Sequence, residues 1–190
     1  NIKLSQCVMS GVTIFDQDYI SSLYGKRFWY DERYWYHSKH AFSLDAIGLI
    51  AFNAARLVTA IKGHSKKCIV LDLDNTLWGG VIGDDGLKGI RLGNGPEGEA
   101  FVDFQKYLLK LKSRGIILSV CSKNEDENAK LPFLNHPDMQ LSLDDITVFI
   151  ANWNNKADNI RFIANTLDIS LDSIVFIDDN PVERAFVEKE

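Results

Sequence analysis

Asp72 and Asp74 stand two residues apart in Leu71-Asp72-Leu73-Asp74-Asn75-Thr76-Leu77-Trp78-Gly79-Gly80, directly after the apolar run Cys68-Ile69-Val70. Such a run, without polar alternation, predicts a strand buried on both faces, as in a parallel sheet. Ligands of open α/β sheets sit at the carboxyl ends of the strands, so both carboxylates fall on the catalytic edge. One aspartate there can attack phosphorus and form an aspartyl-phosphate. The other can move protons, and Mg²⁺ can sit among carboxylate, carbonyl and phosphate oxygens. Asp and Asn are equally at home in a plain strand-to-loop turn. The pair needs company to carry the chemistry.

Three further strand ends supply it. Ile116 to Cys121 predicts a second buried strand leading into Ser122-Lys123-Asn124. Ile146 to Ile150 predicts a third, followed by a short loop to Lys156, and Ile174 to Ile177 a fourth, ending in Asp178-Asp179-Asn180-Pro181. Helical stripes lie between them: Ala100, Phe101, Phe104, Tyr107, Leu108 and Leu111 after Pro96, with Gly115 as the stop, then Ala157, Ile160, Ile163, Ala164 and Leu167. Pro132 and Pro137 break the stretch between the second and third strands into helix and loop. Strands alternating with helices predict an α/β, Rossmann-like parallel sheet with helices on both faces. Parallel strands bring their ends to one edge. Ser122 can donate a hydroxyl hydrogen bond to phosphate, Lys156 can neutralise its charge, and Asp178 can hold Mg²⁺. A serine in a turn, a lysine opening a helix and acids before proline each have a plain structural reading alone. Their joint order favours phosphoryl transfer.

That order, Asp-x-Asp-x-Thr, Ser, Lys, Asp-Asp, resembles the haloacid dehalogenase (HAD) superfamily of phosphohydrolases and phosphotransferases. Leu71 to Gly89, Val120 to Asn124, Asn152 to Lys156 and Val175 to Arg184 resemble its FkbH-like branch, over about residue 66 to the end. The resemblance implies Asp72 as nucleophile and Mg²⁺ ligand. Asp74 would be general acid/base and lend its backbone carbonyl to the metal, and Thr76 would be structural. Ser122, with Lys123 and Asn124 beside it, and Lys156 would bind phosphate, and Asp178 would complete the metal shell. It also implies two chemistries: phosphate release, or dephosphorylation coupled to moving a glyceryl group from an acyl phosphate onto an acyl carrier protein. A receiver-like phospho-aspartate switch and a catalytically silent carrier-protein docking module are the alternatives. In a receiver the nucleophile stands alone on its strand, whereas here Asp74 could activate water. The intact motif set disfavours the silent module. Cys121, just before Ser122, is a conceivable acyl acceptor, although a small buried apolar role fits it better.

Trp78 to Leu92, with Gly79-Gly80, Gly83-Asp84-Asp85-Gly86 and Gly89, predicts a small β-hairpin flap beside the site. Neither gap between motifs has room for a large cap, so the site should be open to a phosphorylated small molecule or a carrier arm.

The first 65 residues read as a separate unit joined by the polar linker Gly63-His64-Ser65-Lys66-Lys67. Gly11 to Asp16 predicts a strand and the residues through Leu23 a short helix. An aromatic cluster runs from Phe28 to Tyr36, and an amphipathic helix from N-cap Ser43 to Ile61. This unit resembles the C-terminal part of an SGNH-hydrolase-like region, without a complete hydrolase constellation. A chain that opens at Asn1 and stops at Glu190 in a predicted helix is expected to be a piece of a longer one. A formal net charge of -5 and no long basic run argue against nucleic acid. No apolar stretch is expected to approach membrane-spanning length. Cys7, Cys68 and Cys121 lie far apart, which suits reduced thiols in the cytoplasm.

Overall fold

The computed structural model describes residues 12–190, and the chain divides into two compact units, residues 1–65 and 66–190. In the first unit the described residues form four helices: α1 (Gln17–Tyr24), α2 (Lys26–Trp29), α3 (Glu32–Ser38) and α4 (Leu44–Ile61). Asp16 Oδ1 accepts from Tyr19 N at 2.9 Å and caps α1, so the chain leading into it is not strand. Residues 12–16 have no regular structure, and Gly11 lies outside the described residues. Ser43 precedes α4 as expected, but its hydroxyl donates to Phe28 O at 2.6 Å and caps nothing. In the aromatic cluster Trp29 packs edge-on against Tyr24 and Phe42, while Phe28 and Tyr36 remain exposed. The expectation about apolar length is corrected here. Over 18 residues with Asp45 and Arg56 as the charged ones, α4 is long and apolar enough to cross a membrane by length and composition.

In the second unit, strands β1 (Cys68–Leu71), β2 (Ile117–Ser122), β3 (Val148–Ala151) and β4 (Ile174–Ile177) form one parallel sheet in the order β3-β2-β1-β4. Leu71 pairs with Val120 on one side and Ile177 on the other, so β1 and β4 finish level and β2 runs two residues further, to Ser122. Alternation along the strands feeds two cores. Ile69, Leu71, Leu118 and Val120 face one core with Leu108 of α6 (Gly98–Lys112) and Ala129 of α7 (Asp126–Asn135). Cys68, Val70 and Cys121 face the other, with Ile160 and Ile163 of α8 (Lys156–Thr166) and Val187 of α9 (Pro181–Lys189). Helices therefore cover both faces of an α/β parallel sheet.

Three local expectations change. The stretch after Trp78 is not a hairpin: it forms α5 (Ile82–Gly89), kinked at Gly86, and one antiparallel bridge between Gly79 and Arg91 closes its base. Asp85 accepts from Val81 N and Asp74 from Ile82 N, which supplies the acceptors a helix start needs. The two-residue bridge satisfies too little backbone to compete. Gly80 sits at φ 98°, and a Cβ there would come 2.5 Å from Asp85 Oδ2, so the turn requires glycine. Along α6, Ala100 and Tyr107 face solvent, and Gln105 takes a wholly buried place. Its amide donates to Leu77 O at 2.8 Å and its carbonyl accepts from Gln140 N and Leu141 N, pinning the loop after β1 to the loop between α7 and β3. Pro132 does not end its helix: α7 runs through it to Asn135, with Pro132 buried.

Candidate active site

Each strand end delivers its side chain to one edge. β1 ends at Leu71, and Asp72 continues its ladder by donating its N–H to Ile177 O at 2.9 Å. That holds Asp72 in the plane of the sheet, buried to 6 % exposure. Asn75 then adopts the left-handed conformation at φ 54°, and its side chain accepts from Gly80 N at 2.8 Å. The chain so reverses and returns Trp78 to the core. Lys156 is the first residue of α8, whose N-cap Asn155 accepts from Ala157 N at 2.8 Å. Pro181 opens α9 behind N-cap Asn180, which fixes the loop carrying Asp178 and Asp179.

Lys156, 3 % exposed, stands between two buried acids. Its Nζ lies 2.5 Å from Asp178 Oδ2 and 3.1 Å from Asp72 Oδ1. The first contact is a hydrogen bond. The second is an ion pair without hydrogen-bond alignment, which leaves Asp72 Oδ1 a buried oxygen with no hydrogen-bond donor. Burial pushes the Asp72 carboxyl above its usual range, and the Asp178 charge adds to this against the pull of Lys156 and Ser122. Burial alone would depress the Lys156 ammonium, but the Asp72 charge, followed by Asp178, holds it above its ordinary value. Thr76 Oγ1 is also buried without a partner.

Oxygens of Asp72, Asp178 and Asp179 all lie within 4.8 Å of one another. Three carboxylates and one ammonium carry a formal charge of about -2 when all are ionised, the balance a divalent cation would restore. Oxygen-only donors suit a hard cation. The residues fit a metal. Arg184 clamps the same loop by donating to the carbonyls of Asp178 (2.6 Å) and Asp179 (2.7 Å).

Asp74 has a different environment. It accepts from Trp78 Nε1 and Ile82 N, each at 2.9 Å, and from Asn124 Nδ2 at 2.7 Å. Its carboxylate is not in the three-acid cluster. Asn124, expected beside phosphate, thus turns its amide to Asp74 and does not line the cleft. The cleft, about 370 Å³, is lined by Asp72, Asp74, Ser122, Lys123, Lys156 and the loop from Asp178 to Pro181, with Asn75 and Glu183 at its margin. Lys123 reaches Glu183 Oε1 at 2.5 Å. Sequence reasoning gave no role to Asp179, Trp78, Arg184, Glu183 or Gln105. Asp179 had a signal, standing next to Asp178 before a helix-opening Asn-Pro. The others depend on contacts between distant segments.

Cys121 lies wholly buried in the core with Ile160 and Ile163, its thiol 3.9 Å from Lys156 O, and does not line the cleft; burial pushes the thiol up to about 12.

The fold and site define an α/β domain with an acid-and-lysine centre at the carboxyl edge of a parallel sheet. Over 99% of its length the chain is similar, at 49% identity and a TM-score of 0.89, to a crystal structure from Bacteroides fragilis. That structure is the N-terminal part of the protein BF1531, containing a phosphatase domain and complexed with Mg. The chain spans 50% of its length. No protein-family model and no curated protein matches the chain.

Proposed function

We propose that this chain is a Mg²⁺-dependent phosphohydrolase of the HAD type, acting on a phosphorylated small molecule through an aspartyl-phosphate on Asp72. The observation that carries the reading is the cluster of Asp72, Asp178 and Asp179, whose carboxylate oxygens lie within 4.8 Å of one another at the carboxyl edge of the sheet with Asp72 and Asp178 buried. Likeness to a Mg-complexed phosphatase domain supports the same reading. Asp72, Asp178 and Asp179 would hold the cation, which offsets charge on the phosphoryl oxygens when bound. Ser122 and Lys156 orient the phosphoryl group, with Lys123 at the rim. An Asp72 oxygen attacks phosphorus while the bond to the leaving oxygen breaks, and Asp74 delivers that oxygen its proton. Asp74 then takes a proton from water, which attacks the phosphorus, frees phosphate and regenerates Asp72. A second acid so near the nucleophile favours turnover over a lasting phospho-signal, which weighs against a receiver-like switch. Rapid-quench labelling with a ³²P-phosphorylated substrate tests the reading. Label should appear on wild type, be absent from Asp72→Asn, and turnover in that variant should drop by roughly 10³ or more. Near-normal turnover in Mg²⁺-replete Asp72→Asn refutes it.

Glyceryl transfer to an acyl carrier protein rests on the FkbH-like resemblance alone. The buried Cys121 thiol, raised to about 12, argues against an acyl relay on the chain, so hydrolysis is the preferred chemistry. We further infer that residues 1–65 are the C-terminal part of an SGNH-hydrolase-like region, and that buried free Cys68 and Cys121 suit a cytoplasmic setting.

A further inference from the structure

Three donors from separate parts of the fold converge on Asp74. Oδ1 accepts from the Trp78 indole and the Ile82 backbone, and Oδ2 from the Asn124 amide. A carboxylate oxygen offers two lone-pair directions, so Oδ1 is full and Oδ2 keeps one open. We propose that Asn124 and Trp78 are positioning residues that make Oδ2 the proton-carrying atom of Asp74. The proposal rests on Asp74 being the acid/base of the reaction. In the first half-reaction the O–H bond at Oδ2 breaks and its proton passes to the leaving oxygen. In the second, a proton from the attacking water returns to Oδ2. Asn124 stays bound to the other direction throughout.

Both residues are built for fixity. Trp78 is fully buried, with Phe133 edge-on to it at 6.1 Å and Phe133 in turn against Phe149 of β3. A buried indole N–H needs an acceptor, and here Asp74 is that acceptor. Asn124 is 5 % exposed just beyond the end of β2, so its amide has little freedom to leave Oδ2. Ile82 opens α5 with no side-chain cap from its own N-cap Val81, and Asp74 takes that place.

The test compares phenyl phosphate, whose leaving group needs a proton, with 4-nitrophenyl phosphate, whose leaving group needs it less. In Asn124→Ala, kcat on phenyl phosphate should fall by about tenfold or more, kcat on 4-nitrophenyl phosphate by less than about threefold, and KM for both should hold. Adding Asn124→Ala to Asp74→Asn should cost nothing further, because both act through one carboxylate. Trp78→Phe, which keeps an aromatic ring but no donor, should show the same leaving-group dependence and serves if Asn124→Ala fails to fold by circular dichroism. In the metal-free protein, the Trp78 indole N–H should exchange with solvent faster in Asp74→Ala than in wild type. Equal losses on both substrates, full additivity with Asp74→Asn, or unchanged indole exchange overturns the proposal. Absence of leaving-group dependence in Asp74→Asn itself overturns instead the assignment of Asp74 as acid/base.

Discussion

Lys156→Met is the most informative single change. It keeps an unbranched chain of similar length but removes the charge between Asp72 and Asp178. The three side chains are 4 %, 9 % and 0 % exposed, so solvent cannot take over its role. Two facing carboxylates are left in a buried site, and the cheapest relief is for one to take up a proton. Uptake from an ordinary value of 3.8 costs about 1.36 kcal/mol per pH unit above it, which bounds the loss at about 4 kcal/mol at pH 7. The second unit spans residues 66–190, and at about 2.1 cal/mol/K per residue that corresponds to a Tm deficit of up to about 15 °C. The sign follows from the raised carboxyl. No penalty exists below 3.8, and it grows as pH rises toward the folded-state value. Calorimetry on metal-free protein should therefore show a deficit against wild type of at most about 6 °C at pH 5, and a larger one at pH 7. Saturating Mg²⁺ should shrink it, since a cation replaces the lost charge. A deficit as large at pH 5 as at pH 7, or none at pH 7, refutes the electrostatic account.

Asp178→Ala should raise the Mg²⁺ concentration for half-maximal activity by roughly tenfold or more, and exposed Asp179→Ala by less. Unchanged Mg²⁺ dependence in both would remove the cation from this cluster. Gln105→Leu orphans Leu77 O, Gln140 N and Leu141 N, at about 1–3 kcal/mol each, so urea denaturation should show a loss of about 3 kcal/mol or more. Cys121, raised to about 12, should be ionised in roughly one molecule in 10⁴ at pH 8 and resist iodoacetamide in native protein. Alkylation of Cys121 before unfolding, seen by peptide mass, would contradict its burial.

The strands were legible because parallel strands buried on both faces leave unbroken apolar runs. β4 occupies Ile174–Ile177 as read, and β2 ends at Ser122, one residue later than expected. The flap was misread because glycine and Asp-Gly pairs signal turns whether a hairpin or a short helix follows. Acceptors eight and four residues away, Asp74 for Ile82 and Asp85 for Val81, favoured the helix. The stripe on α6 failed at Tyr107 and Gln105 because helical spacing says which residues share a face, not which of them meets a polar loop.

By itself, then, the sequence determined the sheet and the set of groups at its edge. Apolar runs ending in Asp72, Ser122 and Asp178 need only strand direction to converge, and direction follows from the alternation of strand and helix. What the tertiary structure alone decided is how those groups divide their work. Lys156 pairs with Asp72 and Asp178, while Trp78, Ile82 and Asn124 all turn to Asp74. Such pairings depend on angles and on lone pairs left open between segments fifty residues apart and more, which no residue type or spacing encodes.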